Sequence, residues 1–290
     1  MDLNKLKQNK TIKELLEFGI INIDKSSGPT SFSVSEFVQK ELGLRKTSHF
    51  GTLDPKVTGV LPVALNRACK LTGYFLGEDK EYIGIMRIHE NIALNELKKA
   101  IKEKFTGKIM QMPPVRSNVK RQNRQREIKK FKILEKDEQN ILFQVECEGG
   151  TYIRKLISDL GDYLKIGAHM LELRRIRAGI FEEEEIVNLY DFKKAVEEYK
   201  KGNEILLKKI IIPGDIIFEL HSPVEIQKHN LRQIFTGKPI HQDDLKSKSS
   251  KKQGEIISVF CENKFIGMYK VINKGDLFAQ PEFVMQPIKL

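Results

Sequence analysis

The order of apolar and polar positions switches between two rhythms along this chain. Residues 10–18 repeat with a helical period and run into GIINIDK (19–25), a strand pattern. SSGPTS (26–31) is turn chemistry, and 31–44 sets Val34, Phe37, Val38 and Leu42 at helical spacing. VLPVALNRACKLTGYFL (60–76) mixes both signals. KEYIGIMRIHE (80–90) alternates and predicts a strand, while ALNELKKAIKEKF (93–105) predicts an amphipathic helix with a double-proline turn behind it. ILFQVECEGGTYIRKLISDLG (141–161) reads as strand, Gly-Gly turn and helix, and 168–181 sets Arg174, Arg175 and Arg177 beside apolar positions. A polar helical stretch over 182–209 ends at IIIPGD (210–215), the predicted domain boundary. Beyond it, a Lys/Ser loop (246–254) precedes short apolar runs at 255–261 and 264–272, which predict a small β-barrel. No internal repeat is visible.

One stretch breaks the rhythm. HFGTLDPKVTGVLP (49–62) sets a single acid, Asp54, between Gly51 and Gly59 and directly before Pro55. The proline biases Asp54 toward an extended or turn conformation, and the glycines permit sharp bends and close backbone approach. Two readings fit: a rigid loop that presents one carboxylate, or an aspartate that caps a turn or the next helix.

Charge changes the weighting. The 290 residues carry 50 Lys and Arg against 39 Asp and Glu, a formal net charge of +11, which favours polyanionic partners. Eight of the basic residues fall in RSNVKRQNRQREIKKFK (116–132), including Arg116, Lys120, Arg121, Arg124 and Arg126, with Glu127 the single acid. Beside Pro113 and Pro114 this predicts a mobile, phosphate-tracking arm; a solvated face is the plainer alternative. Cys69, Cys147 and Cys261 lie far apart with no CxxC pair, as expected of reduced thiols. With no signal-peptide core and no stretch of membrane-spanning length, a cytoplasmic location is expected. There is no P-loop, GxGxxG, HExxH, Cys/His cluster or GxSxG elbow, so nucleotide, metal and serine-hydrolase chemistries have no support from motifs. A lone carboxylate in a basic protein suits a nucleophile in a cofactor-free rearrangement.

HFGTLDPKVTGVLPVALNRACKL (49–71) closely resembles the catalytic motif of the TruB/dyskerin family of RNA pseudouridine synthases, in the form of its archaeal and eukaryotic branch. TIKELLEFGIINIDKSSGPTS (11–31), MPPVRSNVKR (112–121), EGGTYIRKLISDLG (148–161) and GAHMLELRRIRAGIF (167–181) resemble further family motifs in order, and the tail from about 216 is similar to a PUA domain. Ser26 and Phe50 depart from the pattern, standing where the family has proline and a small residue. The resemblance implies an α+β fold: a mixed, largely antiparallel catalytic sheet over 1–215 and a small PUA-like β-barrel over 216–290.

The implied reaction turns uridine into pseudouridine in rRNA or tRNA. It needs no cofactor, because nothing is oxidised and no group is lost. By resemblance Asp54 is the nucleophile or base, Arg154 its cationic partner in a bidentate contact, Tyr82 the ring that stacks on the flipped base, and Leu173 a pocket wall. His49 would contact the space left by the flipped nucleotide, and Lys25 and the basic run would bind RNA. The implied partners are an RNA substrate, an H/ACA guide RNA and its accessory proteins, with no membrane. A stand-alone synthase acting on the tRNA T-loop and a non-catalytic RNA-binding protein are the alternatives.

Overall fold

A computed structural model of the chain describes residues 1–113 and 120–287. By packing it divides into two compact units: residues 20–210, and residues 1–19 together with 211–290. The second unit includes helices α1 (Leu3–Gln8) and α2 (Ile12–Glu17), so the chain start groups with the tail rather than with the segment that follows it. The physical reason lies in long-range contacts. Phe18 stacks on Phe265 with ring centroids 5.1 Å apart, and the Gly214 N–H donates to the Phe18 carbonyl at 2.9 Å.

The larger unit is built on one mixed sheet. Its strands are β1 (Gly19–Lys25), β2 (Thr47–His49), β3 (Thr58–Leu65), β4 (Lys80–Ile88), β5 (Gly107–Gln111), β6 (Arg124–Asp137), β7 (Asn140–Cys147), β8 (Ala168–Ala178), β9 (Phe181–Glu182) and β10 (Val187–Asn188). They run in the order β10-β1-β3-β8-β4-β7-β6-β5, with β2 on β3 and β9 on β8. The β1–β10 and β3–β8 pairs are parallel and the others antiparallel. Helices α3 (Ser31–Leu42), α4 (Thr72–Leu76), α5 (Leu94–Lys104), α6 (Ile153–Leu164), α7 (Leu189–Lys200) and α8 (Ile205–Ile210) complete the unit. The mixed signals of 60–76 resolve into β3, a 3₁₀ turn (Asn66–Leu71) and α4. Phe50 fills the core, stacked on Phe75 at 4.6 Å and packed on Phe181, so it needs more room than the small residue of the family pattern.

The basic stretch is not a mobile arm over its whole length. From Arg124 onward it is strand β6, paired with β5 (Gln111 opposite Arg124, Ile109 opposite Arg126) and with β7. Ile128 and Phe131 are both buried although they stand three apart, because the pairing with β7 shifts register between Ile128 and Lys130; the irregular spacing lets the strand read as charged in sequence. Arg116 lies outside the described residues.

In the other unit, β11 (Ile211–Pro213) is followed by a five-stranded sheet of β12 (Pro223–Glu225), β13 (Ile240–His241), β14 (Ile256–Cys261), β15 (Lys264–Lys274) and β16 (Leu277–Val284), in the order β12-β14-β15-β16-β13. It curls until an isolated antiparallel bridge, Ile226 with Leu245, links the segments that follow its two outer strands. Its core is apolar, with Ile257, Val259, Ile266, Val271 and Phe278 fully buried. Asp215 is also fully buried, and its carboxylate meets Lys10 at 3.1 Å. Burial pushes the Asp215 carboxyl above its ordinary value and Lys10 partly opposes this.

Lys10→Met is therefore expected to lower stability at neutral pH by roughly 3 kcal/mol, because it leaves a buried charge unpaired. The sign with pH follows from the raised carboxyl. The native state takes up this proton at higher pH than the unfolded chain, so the variant's deficit should shrink as pH falls through that range. Thermal unfolding of both proteins at pH 7 and pH 5 checks it, and an equal deficit at both would contradict the assignment. No helix among the described residues is long and apolar enough to cross a membrane.

Candidate active site

Asp54 sits on the loop between β2 and β3, and no helix follows for it to cap. The loop is fastened from several sides. The Ser31 hydroxyl at the start of α3 accepts from the Leu53 N–H at 2.8 Å and donates to the Leu53 carbonyl at 3.1 Å. The Lys25 ammonium donates to the carbonyls of Ser26, Pro55 and Val57 at 3.0, 3.0 and 2.8 Å, and the Gly28 N–H adds a second bond to Pro55. Arg175 on β8 donates from Nη2 to the Gly51 carbonyl at 3.0 Å and from Nε to the Val60 carbonyl at 2.7 Å. Gly59, at φ +99°, must be glycine: a Cβ there would lie 2.2 Å from the Arg175 carbonyl oxygen. The backbone around Asp54 is fixed while its carboxylate stays half exposed. Such preorganisation is what a reacting group needs.

Arg154 arrives from the first turn of α6. That helix buries Ile153, Leu156, Ile157 and Leu160, and Arg154 falls on the opposite face. Its start is positioned by Gln111 at the end of β5, whose buried amide accepts from the Tyr152 N–H at 3.1 Å and donates to the Tyr152 carbonyl at 3.2 Å. Arg126 donates to the Gly150 carbonyl at 3.2 Å and pairs with Glu148, which holds the Gly-Gly turn before α6. Arg154 Nη1 then meets Asp54 Oδ2 at 3.0 Å, a single bond rather than the bidentate contact expected from sequence. The two side chains are 67% and 52% exposed, so the pair contributes at most about 1 kcal/mol to folding. Arg154→Met is expected to leave the melting temperature within a few degrees of wild type. Any large loss of turnover would then reflect the site and not the fold.

Beneath the loop the site is basic and buried. Tyr82 on β4 is directly opposite Arg175 on β8, and Gly84 is opposite Leu173. Side chains opposite one another share a sheet face, so Tyr82, Leu173 and Arg175 line one surface. Arg175 is 1% exposed, and its positive charge acts on the Tyr82 phenol. Burial pushes the Tyr82 phenol up, partly opposed by Arg175. Lys25 and Lys80 are also buried. Desolvation lowers both, Lys80 to about 8, where its ammonium is satisfied by the carbonyls of Phe75, Leu76 and Glu78. The Asp54 charge partly opposes the shift at Lys25. Burial, and after it the Arg175 charge, holds His49 below its ordinary value, a neutral imidazole at pH 7.

Some sequence expectations land elsewhere. Lys25 is not a surface contact for RNA; it is fully buried and clamps the loop. Arg126 is tied to the turn before α6, and Arg124 is partly buried in β6, leaving Lys120 and Arg121 as exposed cations. Sequence reasoning assigns no role to Arg175, Lys80 or Gln111. A signal exists for Arg175: it is two residues from Leu173 in a strand, hence on the same face. Among the described residues, no three His, Cys, Asp or Glu side chains gather as a metal site would require.

Comparison with known proteins fits this geometry. Residues 39–153 match the TruB family pseudouridylate synthase N-terminal domain, and residues 154–219 the tRNA pseudouridylate synthase B C-terminal domain. A probable tRNA pseudouridine synthase B from Methanopyrus kandleri is 41% identical over 277 residues, 94% of this chain and 82% of that protein. The chain belongs to the TruB family. Another member, a probable tRNA pseudouridine synthase B from Methanococcus aeolicus, is 43% identical over 255 residues, 88% of this chain and 76% of the other. The protein in the crystal structure of a Cbf5-Nop10-Gar1 complex superposes with a TM-score of 0.88 at 34% identity, covering 97% of this chain and 89% of that one. One in an H/ACA RNP bound to a substrate RNA containing 2'-deoxyuridine gives 0.87 at 32%, with the same coverage. This TruB-family chain is accordingly a pseudouridine synthase.

Proposed function

We propose that this synthase isomerises uridine to pseudouridine in RNA as the catalytic subunit of an H/ACA guide-RNA particle. The observation that carries the chemistry is the fastened loop holding the Asp54 carboxylate against Arg154, within electrostatic reach of Tyr82. Asp54 acts at the sugar-base junction as the N–C glycosidic bond breaks. The base turns, a C–C bond forms, the C5 proton leaves and the freed ring nitrogen takes up a proton, so atoms and electrons balance. Arg154 sets its positive charge against the carboxylate at the place where bound RNA excludes water. Tyr82 stacks on the extruded base, Leu173 walls the pocket, and neutral His49 occupies the space left in the RNA. The unit of residues 20–210 supplies catalysis, and the curled sheet within 216–290 serves as a PUA-like RNA-binding domain.

The guide-dependent reading is supported by likeness to the chains of H/ACA complexes over nearly the whole length. The stand-alone reading is supported by curated relatives named as tRNA pseudouridine synthase B. Incubating pure protein with a tRNA transcript, with and without an H/ACA guide RNA and its accessory proteins, separates the two. Pseudouridine formed only with the guide supports the first; equal turnover without it supports the second.

The exposed cations before β6 are expected to bind phosphates without reading bases. Changing Lys120 and Arg121 together to Gln should weaken binding on two unrelated RNAs alike. The slope of log affinity against log salt should flatten by about 0.7–0.9 for each phosphate no longer neutralised. An unchanged slope would mean that these residues only face solvent.

A further inference from the structure

A cavity beside the Asp54 loop belongs to no role described so far. Helix α3 presents Phe32, Glu36 and Gln39 along one face, opposite the short strand β2, and the space between measures about 160 Å³ with Ser48 and His49 on its far wall. The walls are locked together: the Ser35 hydroxyl donates to Thr47 Oγ1 at 2.9 Å, and Thr47 Oγ1 donates to the Ser35 carbonyl at 2.9 Å. Phe32, at the rim, is 70% exposed, and no other phenylalanine stands among the exposed large apolar side chains of the described residues. Gln39 spends its amide hydrogens on the carbonyls of Leu44 and Arg45, which leaves its amide oxygen to accept. An aromatic rim over a small polar cavity suits a flat ring with a hydrogen-bonding edge. A cavity of about 150 Å³ accommodates one benzene-sized ring.

We propose that this cavity takes one unpaired nucleobase adjacent to the target uridine, stacked on Phe32. The inference rests on the RNA-modifying reading above. His49 belongs both to the cavity wall and to the strand that leads into the loop, five residues before Asp54, so RNA seated at Asp54 passes the cavity mouth. Extruding the target also strips its neighbour of a stacking partner, and Phe32 offers a replacement surface. Stacking on an aromatic side chain is tolerant of base identity, while Ser48 and the Gln39 oxygen grade the preference through hydrogen bonds.

The test uses the full chain, with guide and accessory proteins if turnover requires them. Three RNAs are compared: intact, abasic one position 3' of the target, and abasic one position 5'. Wild type, Phe32→Ala and Phe32→Tyr are assayed for affinity and for pseudouridine formation. Phe32→Ala should weaken binding of the intact RNA about tenfold, and Phe32→Tyr should restore it. One abasic RNA should lose a similar factor with wild type and lose nothing further with Phe32→Ala, which also places the base on one side of the target. Full affinity in Phe32→Ala, or losses that multiply on both abasic RNAs, would overturn the site while leaving the synthase assignment intact. Absence of turnover by wild type on intact RNA would instead remove the functional reading and this inference with it.

Discussion

Asp54→Asn is expected to reduce pseudouridine formation by roughly 10⁴-fold or more, the scale seen when a reacting side chain is removed. The swap keeps size and shape and takes away the charge. It should leave the fold alone, because the loop is held through the carbonyls of Gly51, Leu53, Pro55 and Val57 and not through the Asp54 side chain. The pairing with Arg154 that it removes is solvent-exposed and contributes at most about 1 kcal/mol. RNA affinity should stay within about twofold, since phosphate interactions dominate it. The measurement is single-turnover pseudouridine formation alongside RNA binding and thermal unfolding. Turnover near wild type by protein verified to carry the substitution would remove Asp54 from the reaction. A collapse in melting temperature would mean that the carboxylate is structural.

The second large effect is expected at Arg175, which sequence motifs alone do not single out. Its buried guanidinium bonds the Gly51 and Val60 carbonyls, and Arg175 is directly opposite Tyr82 in the sheet, so one side chain joins the Asp54 loop to the strand that carries Tyr82. Arg175→Met would leave the Gly51 and Val60 carbonyls without this donor, each costing about 1–3 kcal/mol where buried. Relief of like-charge repulsion with nearby Lys80 and Lys25 offsets part of that. Arg175→Lys separates stability from positioning. A lysine keeps the charge but cannot reproduce the fork that reaches both carbonyls. Its kcat should fall about 100-fold while KM changes little, because a displacement near 1 Å in a reacting group is enough for such a loss. Wild-type kcat in a folded Arg175→Lys protein would show that Arg175 only supports the fold.

Much of the site is legible in the sequence. Gly51, Asp54, Pro55 and Gly59 mark a tight loop because Pro55 restricts Asp54 while the glycines allow turns closed to other residues, both local properties. The alternation over 80–88 marks Tyr82 as one of a buried set, and the period over 153–164 sets Arg154 opposite the apolar face. Other readings fail for one shared reason. Lysines and arginines read as surface charges in a sequence, whereas Lys25, Lys80 and Arg175 are buried on backbone carbonyls. A carbonyl acceptor has no sequence signature, since every residue carries one. The basic run reads as mobile because charge masks the two buried positions, Ile128 and Phe131, that fasten it as a strand.

By itself the sequence determined the chemistry on offer: one carboxylate on a constrained loop, an arginine on a helix after a Gly-Gly turn, a tyrosine in an alternating strand, and an excess of positive charge for a polyanion. These follow from residue identity and from periods of two and 3.6, which act over a few positions. The tertiary structure alone decided which groups meet. Asp54 and Arg154 are 100 residues apart in the chain, and Gly51 and Arg175 are separated by 124. The placing of Arg175 depends on the register of β3 against β8 and of β4 against β8, with Gly59 and Tyr82 each opposite Arg175. Register is set by how whole strands bury their apolar faces against one another, so no local window contains it.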